Sequence, residues 1–125
     1  MPSGLVLDIE ARTSGANIIT YPKKGLNNRD NQLWKWNGRS IVSQMGYALE
    51  VKGEKAEKGA NIIAGSNHGG LNQQFSMKGN KIFSEFNGLC LDIKGGSRDS
   101  NIQIITWPVK SEGEVNNQSW ELEYE

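Results

Sequence analysis

Apolar and polar residues alternate in short runs along the chain, and the clearest run returns at fixed spacing. Leu5-Val6-Leu7-Asp8-Ile9 is matched by Tyr47-Ala48-Leu49-Glu50-Val51 and by Leu89-Cys90-Leu91-Asp92-Ile93, each step being 42 residues. Successive side chains of a strand point to opposite faces. That period buries Leu5, Leu7 and Ile9 and aims the Asp8 carboxylate away from the core. It likewise buries Tyr47, Leu49 and Val51 while releasing Glu50, and buries Leu89, Leu91 and Ile93 while releasing Asp92. A second marker follows each run: Asn17-Ile18-Ile19-Thr20-Tyr21-Pro22, Asn61-Ile62-Ile63-Ala64-Gly65 and Gln103-Ile104-Ile105-Thr106-Trp107-Pro108. A third closes each copy: Asn31-Gln32-Leu33-Trp34, Asn72-Gln73-Gln74-Phe75 and Asn117-Gln118-Ser119-Trp120. Three ordered markers in three copies define a threefold internal repeat.

Within a copy the pattern predicts four strands. In the first, these are the Leu5 run, a strand around Ile18 to Tyr21 that Pro22 ends, Gln32 to Trp36, and Ser40 to Gln44. Asn37-Gly38 is the two-residue turn signal between the last two. The second copy keeps the order, with Lys78-Gly79-Asn80 as its turn and Lys81 to Phe86 as its fourth strand. No sustained helical period appears. The third copy has only five residues after Trp120, so eleven strands are predicted where full symmetry requires twelve. An open seam between the termini is the expectation, covered by the N-terminal residues, by a neighbouring segment, or by chain lost in a cut from something longer. The last is favoured, because exposed sheet edges are normally covered. The whole of residues 1–125 is expected to form one domain, with lobes 5–46, 47–88 and 89–125.

Composition narrows the function more by exclusion than by assertion. A chain of 125 residues with 15 Gly suits one turn-rich domain that buries about two-thirds of its unfolded surface. Fourteen basic and fourteen acidic side chains cancel without forming blocks, which argues against a sequence-independent grip on nucleic acid. No apolar run approaches the ~20 residues of a membrane-spanning helix, and no charged-then-apolar leader opens the chain. Cys90 is the single cysteine, so no disulfide forms within the chain. A reducing compartment such as the cytoplasm is the easiest home, although a fragment expressed alone has the same composition.

Three repeats of about 42 residues, with four strands and a late Gln-x-aromatic in each, resemble the ricin B-type (R-type) lectins from Leu5 to about Leu122. The resemblance implies an all-β fold, a β-trefoil, one strand short at the seam between the termini. It also implies a sugar site in each lobe. There an Asp at the end of the first strand accepts hydroxyl protons, an aromatic ring after the second strand carries the apolar sugar face, and an Asn precedes the Gln-x-Trp. By correspondence, lobe one offers Asp8, Tyr21 and Asn31 with Gln32 behind them. Lobe three offers Asp92, Trp107 and Asn117 with Gln118 behind. Lobe two departs: Glu50 replaces Asp, Gly65 replaces the ring, and Asn72 and Gln73 persist.

The residue types suit the chemistry. A carboxylate forms charge-assisted hydrogen bonds, roughly twice as strong as neutral ones, and one carboxylate takes two adjacent hydroxyls. An aromatic ring shields the C–H face of a pyranose at low entropic cost. Plainer roles stand beside these. Trp34, Phe75 and Trp120 are expected as core rings, and Gln32, Gln73 and Gln118 as buried amides serving turn backbone. Asp8 or Asp92 alone would be read as an Asx turn; the ring and Asn at matching intervals tip them toward binding. Asn31 and Asn117 fit either role equally. His68, the single histidine, is expected as a solvated loop residue, and no second histidine completes a metal site. Cys90 is expected as a half-buried structural thiol with no base to activate it. Asp8 and Asp92 lie in different lobes, farther apart than the ~5–10 Å of a glycosidase pair. Neither catalysis nor a cofactor is expected.

A glycan-binding module for galactose-type or N-acetylgalactosamine-type sugars through lobes one and three is therefore the leading expectation. The alternative is a protein-binding β-trefoil of the protease-inhibitor or cytoskeletal-binding type, which has no reason to keep an Asp, a ring and an Asn in two lobes. A targeting module severed from an enzyme or toxin is compatible with either seam and sugar, as are a fused domain and a homo-oligomer.

Overall fold

The computed structural model describes residues 5–11, 13–22, 32–54, 58–96, 101–109, 118 and 120. They form ten strands: β1 (Leu5–Ile9), β2 (Ile18–Pro22), β3 (Trp34–Asn37), β4 (Ser40–Ser43), β5 (Tyr47–Val51), β6 (Ile62–Ser66), β7 (Phe75–Lys78), β8 (Lys81–Ser84), β9 (Cys90–Ile93) and β10 (Ile104–Trp107). The regular helical pieces among these residues are three-residue 3₁₀ turns. Of the eleventh predicted strand only Gln118 and Trp120 are among the described residues, and the seam lies outside them.

All the ladders are antiparallel. One sheet runs β3-β4-β5-β6, a second runs β7-β8-β9-β10, and β1 pairs with β2. The threefold pattern is exact at the level of register. Asp8 faces Ile19, Glu50 faces Ile63 and Asp92 faces Ile105, each across its own hairpin. The core collects the expected inward residues, with Ile9, Leu49, Val51, Leu91 and Ile93 joined by Ile18, Ile62, Ile104, Phe75 and Trp120. Phe75 and Trp120 are buried, and Trp34 packs half-buried against the same cluster. Each indole also ties its lobe to the first strand: Trp34 Nε1 donates to the Leu7 carbonyl at 3.1 Å and Trp120 Nε1 to the Leu91 carbonyl at 3.3 Å.

Two expectations need correcting here. The released face of the first strands is not solvent. Asp8 is 3 % exposed and Asp92 1 %, Ala48 and Cys90 are fully buried, and Glu50 is half-buried. Period 2 assigns the face correctly but cannot say what covers it, and here later segments of the same lobe do. Cys90 is accordingly buried rather than half-buried, and its thiol donates to the Trp107 carbonyl at 3.3 Å. The first turn is also displaced by one residue. Asn37 pairs with Ser40, so the loop is Gly38-Arg39, and in lobe two Lys78 pairs with Lys81 around Gly79-Asn80.

The lobes interlock through backbone. Carbonyls of the hairpin turns accept from the next lobe marker: Phe75 N–H donates to Arg39 O and Trp120 N–H to Asn80 O, both at 2.7 Å. At the centre, Gln103 Nε2 lies 3.1, 2.9 and 2.8 Å from the carbonyl oxygens of Ile18, Ile62 and Ile104, one in each lobe.

Candidate functional site

Each site begins with the hairpin of a lobe's first two strands. In lobe one Val6 pairs with Tyr21 and Asp8 with Ile19. Directly opposed residues share a face, so Asp8 and Tyr21 are diagonal neighbours on one side of the ladder, about 7–8 Å apart along the backbone. Lobe three repeats this, with Cys90 opposite Trp107 and Asp92 opposite Ile105. The structure thus brings together Asp8 with Tyr21 and Asp92 with Trp107. Both rings are half-exposed, turned neither fully inward nor fully out.

The glutamine that recurs in each repeat positions the carboxylate. Gln32 Nε2 donates to Asp8 Oδ2 at 2.8 Å and to the Pro22 carbonyl at 2.9 Å. Gln118 Nε2 donates to Asp92 Oδ2 at 2.8 Å and to the Pro108 carbonyl at 2.9 Å. One amide therefore bridges the acid on the first strand and the chain just beyond the ring on the second. Both glutamines are buried, Gln118 completely. Their expected structural role holds, and it includes fixing the acid's rotamer. Asn31 and Asn117 lie outside the described residues.

Lobe two uses the same bridge for a different end. Gln73 Nε2 donates to Glu50 Oε1 and to the Ser66 carbonyl, both at 2.7 Å. Glu50 is one methylene longer than Asp, and its carboxylate lies over Gly65, where an added Cβ would collide with it. The place held by a ring in the other lobes is filled by the lobe's own acid. His68 closes this arrangement. Its Nδ1 accepts from Gly70 N–H at 2.9 Å, so Nε2 carries the proton of the neutral ring, 3.4 Å from Glu50 Oε1. His68 is thus solvated on one side only, with its imidazole 53 % exposed, and more tied than its sequence context indicates. Asn72 is buried and donates to the Val51 carbonyl at 3.2 Å, a backbone role.

A chain with this repeat register and this Gln–carboxylate bridge matches the family model of the ricin-type β-trefoil lectin domain over residues 1–120. The chain belongs to that family. Among solved structures, the lectin domain is similar to a designed threefold-symmetric protein, ThreeFoil, at 31 % identity and TM-score 0.79, covering 94 % of this chain and 89 % of that one. It also resembles the C-terminal half of an earthworm R-type lectin, solved with N-acetylgalactosamine, at 24 % identity and TM-score 0.74, covering 93 % and 87 %. A third similarity is to an exo-β-1,3-galactanase from Clostridium thermocellum, at 29 % identity and TM-score 0.76 over 94 % of this chain and 27 % of that one. The fold is therefore a β-trefoil and the function carbohydrate binding; the family is generally non-catalytic. No helix among the described residues is long and apolar enough to cross a membrane.

One neighbour of the lobe-three site was not foreseen. Lys58, from the β5–β6 loop of lobe two, stands over the Trp107 ring with Nζ 5.0 Å from its centroid. Nothing in the local sequence of lobe three signals it, because the contact crosses a lobe boundary. The repeat alignment contains the signal: Lys58 precedes Gly59, the counterpart of Gly15 and Asn101, and all three have positive φ.

Proposed function

We propose that lobes one and three of this lectin domain each hold one galactose-type or N-acetylgalactosamine-type pyranose, with lobe two unused in its present form. The carrying observation is the diagonal pair of carboxylate and half-exposed ring in both lobes, Asp8 with Tyr21 and Asp92 with Trp107, beside its replacement by Glu50 over Gly65 in lobe two. The acid forms the floor of each site and the ring its wall. Two neighbouring sugar hydroxyls donate to the carboxylate while the C–H face rests on the ring. Burial leaves the acid's charge less screened; with Asp8 3 % and Asp92 1 % exposed, a sugar reaches the carboxylate by displacing groups that cover it. Asn31 and Asn117 add a polar contact at the rim in this reading, and Gln32 and Gln118 hold the acid from behind. The galactanase, part of which this chain matches, has β-1,3-galactan as its named substrate, in keeping with a galactose-type ligand.

Shallow sites of this kind give roughly millimolar to micromolar single-site affinity. A glycan array on the chain identifies the sugar, and titration calorimetry with galactose measures it. Trp107→Ala is expected to remove lobe-three binding with the fold intact, and Asp92→Asn to remove most of it. Parent-like titrations of both variants would sink the assignment.

A further inference from the structure

The three lobes share a loop contact at the second strand, and in lobe three that loop also brings a cation over the ring. In each, a loop of the preceding lobe hydrogen-bonds the second strand, which carries the ring in lobes one and three. Asn101 N–H donates to the Thr20 carbonyl at 2.6 Å beside lobe one, Gly15 N–H to Ala64 O at 2.7 Å beside lobe two, and Gly59 N–H to Thr106 O at 2.6 Å beside lobe three. The return bonds repeat as well: Thr20 N–H to Ile102 O at 3.0 Å, Ala64 N–H to Ala16 O at 2.8 Å, and Thr106 N–H to Ala60 O at 3.0 Å. Reading one residue back along each loop gives Ser100, Ser14 and Lys58. Among the described residues, Lys58 is the cation that stands over a ring of a candidate sugar site. At lobe three Gly59 keeps the loop close, with space for a Cβ 3.8 Å from the Trp107 ring, and Lys58 reaches over the ring itself. No carboxylate among the described residues forms an ion pair with Lys58.

We propose that Lys58 makes lobe three selective for saccharides bearing an anionic group, a carboxylate or a sulfate. This rests on lobe three being a sugar site. A pyranose resting on Trp107 comes within a few ångströms of the ammonium group. The attraction lies at a partly exposed site, so it is worth a modest factor and weakens with salt. A neutral sugar at the same ring offers the ammonium hydroxyl oxygens but no opposite charge.

The test uses the full chain carrying Tyr21→Ala, so that lobe three alone reports. Galactose, galacturonate and galactose 3-sulfate are titrated at low and high ionic strength; the two anions place their charge at different ring positions. The expected result is that at least one anionic sugar binds about twofold to fivefold tighter than galactose at low salt, with near parity in high salt. Lys58→Gln should abolish this preference, read as the ratio of anionic-sugar to galactose affinity within the same variant, and Lys58→Glu should invert it. Galactose binding without any anion preference, unchanged by either substitution, overturns the role of Lys58 and leaves the lectin site standing. Absence of binding by all three sugars overturns the lobe-three assignment and this proposal with it.

Discussion

At the scale of single residues, the glutamines do more for the site than their distance from any ligand suggests. Each Nε2 serves two acceptors, the acid of the first strand and a carbonyl after the second. Replacing Gln118 by Ala withdraws the amide from Asp92 and from Pro108 O together. A buried acceptor that loses a donor costs about 1–3 kcal/mol, so Gln118→Ala is expected to lower unfolding free energy by about that amount in urea. Gln118→Glu should cost more, because it sets a second carboxylate against Asp92. A loss below that of Gln118→Ala would contradict the bridge. This bridge also explains what was illegible in the sequence. Alternation gave the faces of Asp8, Glu50 and Asp92 correctly, but their burial depends on amides that arrive 24, 23 and 26 residues later. A period-2 argument carries no information about such partners. His68 was obscured in the same way, since its tie to Glu50 spans eighteen positions of sequence that share no motif.

At the scale of elements, the hairpin register sets the site and the inter-lobe loops brace it. The loop position held by Gly15, Gly59 and Asn101 has φ of 89°, 85° and 64°, a left-handed backbone that costs an ordinary L-residue about 1–2 kcal/mol. Gly59→Ala should therefore destabilise by about that amount, with no steric contribution, since the nearest atom to the new Cβ lies at an ordinary 3.8 Å. Gly59→Asn should cost clearly less, because Asn tolerates this region and Asn101 already occupies it here. Equal losses for Ala and Asn in thermal melts would show that backbone conformation is not the deciding term. The sequence revealed this element through its repeat, yet it misplaced the β3–β4 turn by one residue. Asn-Gly commonly fills both central positions of a two-residue loop, whereas here Asn37 closes the ladder opposite Ser40 and Gly38 opens the loop with φ 64°. Composition identified the turn, and only pairing could set its register.

At the scale of the whole molecule, the three lobes share one scaffold, pinned where the Gln103 amide meets a carbonyl from each, but they differ in what the scaffold presents. Lobe two retains the glutamine bridge and differs by two coupled changes, a longer acid and a missing ring. The geometry makes these changes interdependent: Glu50 occupies the space above Gly65, so a ring cannot be added unless the acid retreats. Gly65→Trp alone is expected to destabilise by about 1–3 kcal/mol through overpacking against the Glu50 carboxylate and the Gln73 amide. Glu50→Asp alone should cost less and create no site, having an acid without a wall. Together they reproduce the Asp92–Trp107 arrangement on the lobe-two hairpin, where Ala48 faces position 65 as Cys90 faces Trp107. Contacting residues depart from additivity by about 0.5–3 kcal/mol, and here the sign should be favourable, the double variant losing less than the sum of the two. If lobes one and three bind galactose as proposed, calorimetry should then count three sites per chain in place of two, and a trivalent display should raise apparent affinity for clustered glycans where linkage permits simultaneous engagement. Additive losses with the stoichiometry still at two would mean that the glutamine bridge and hairpin register do not suffice to define a sugar site, and that lobes one and three depend on features their own loops supply.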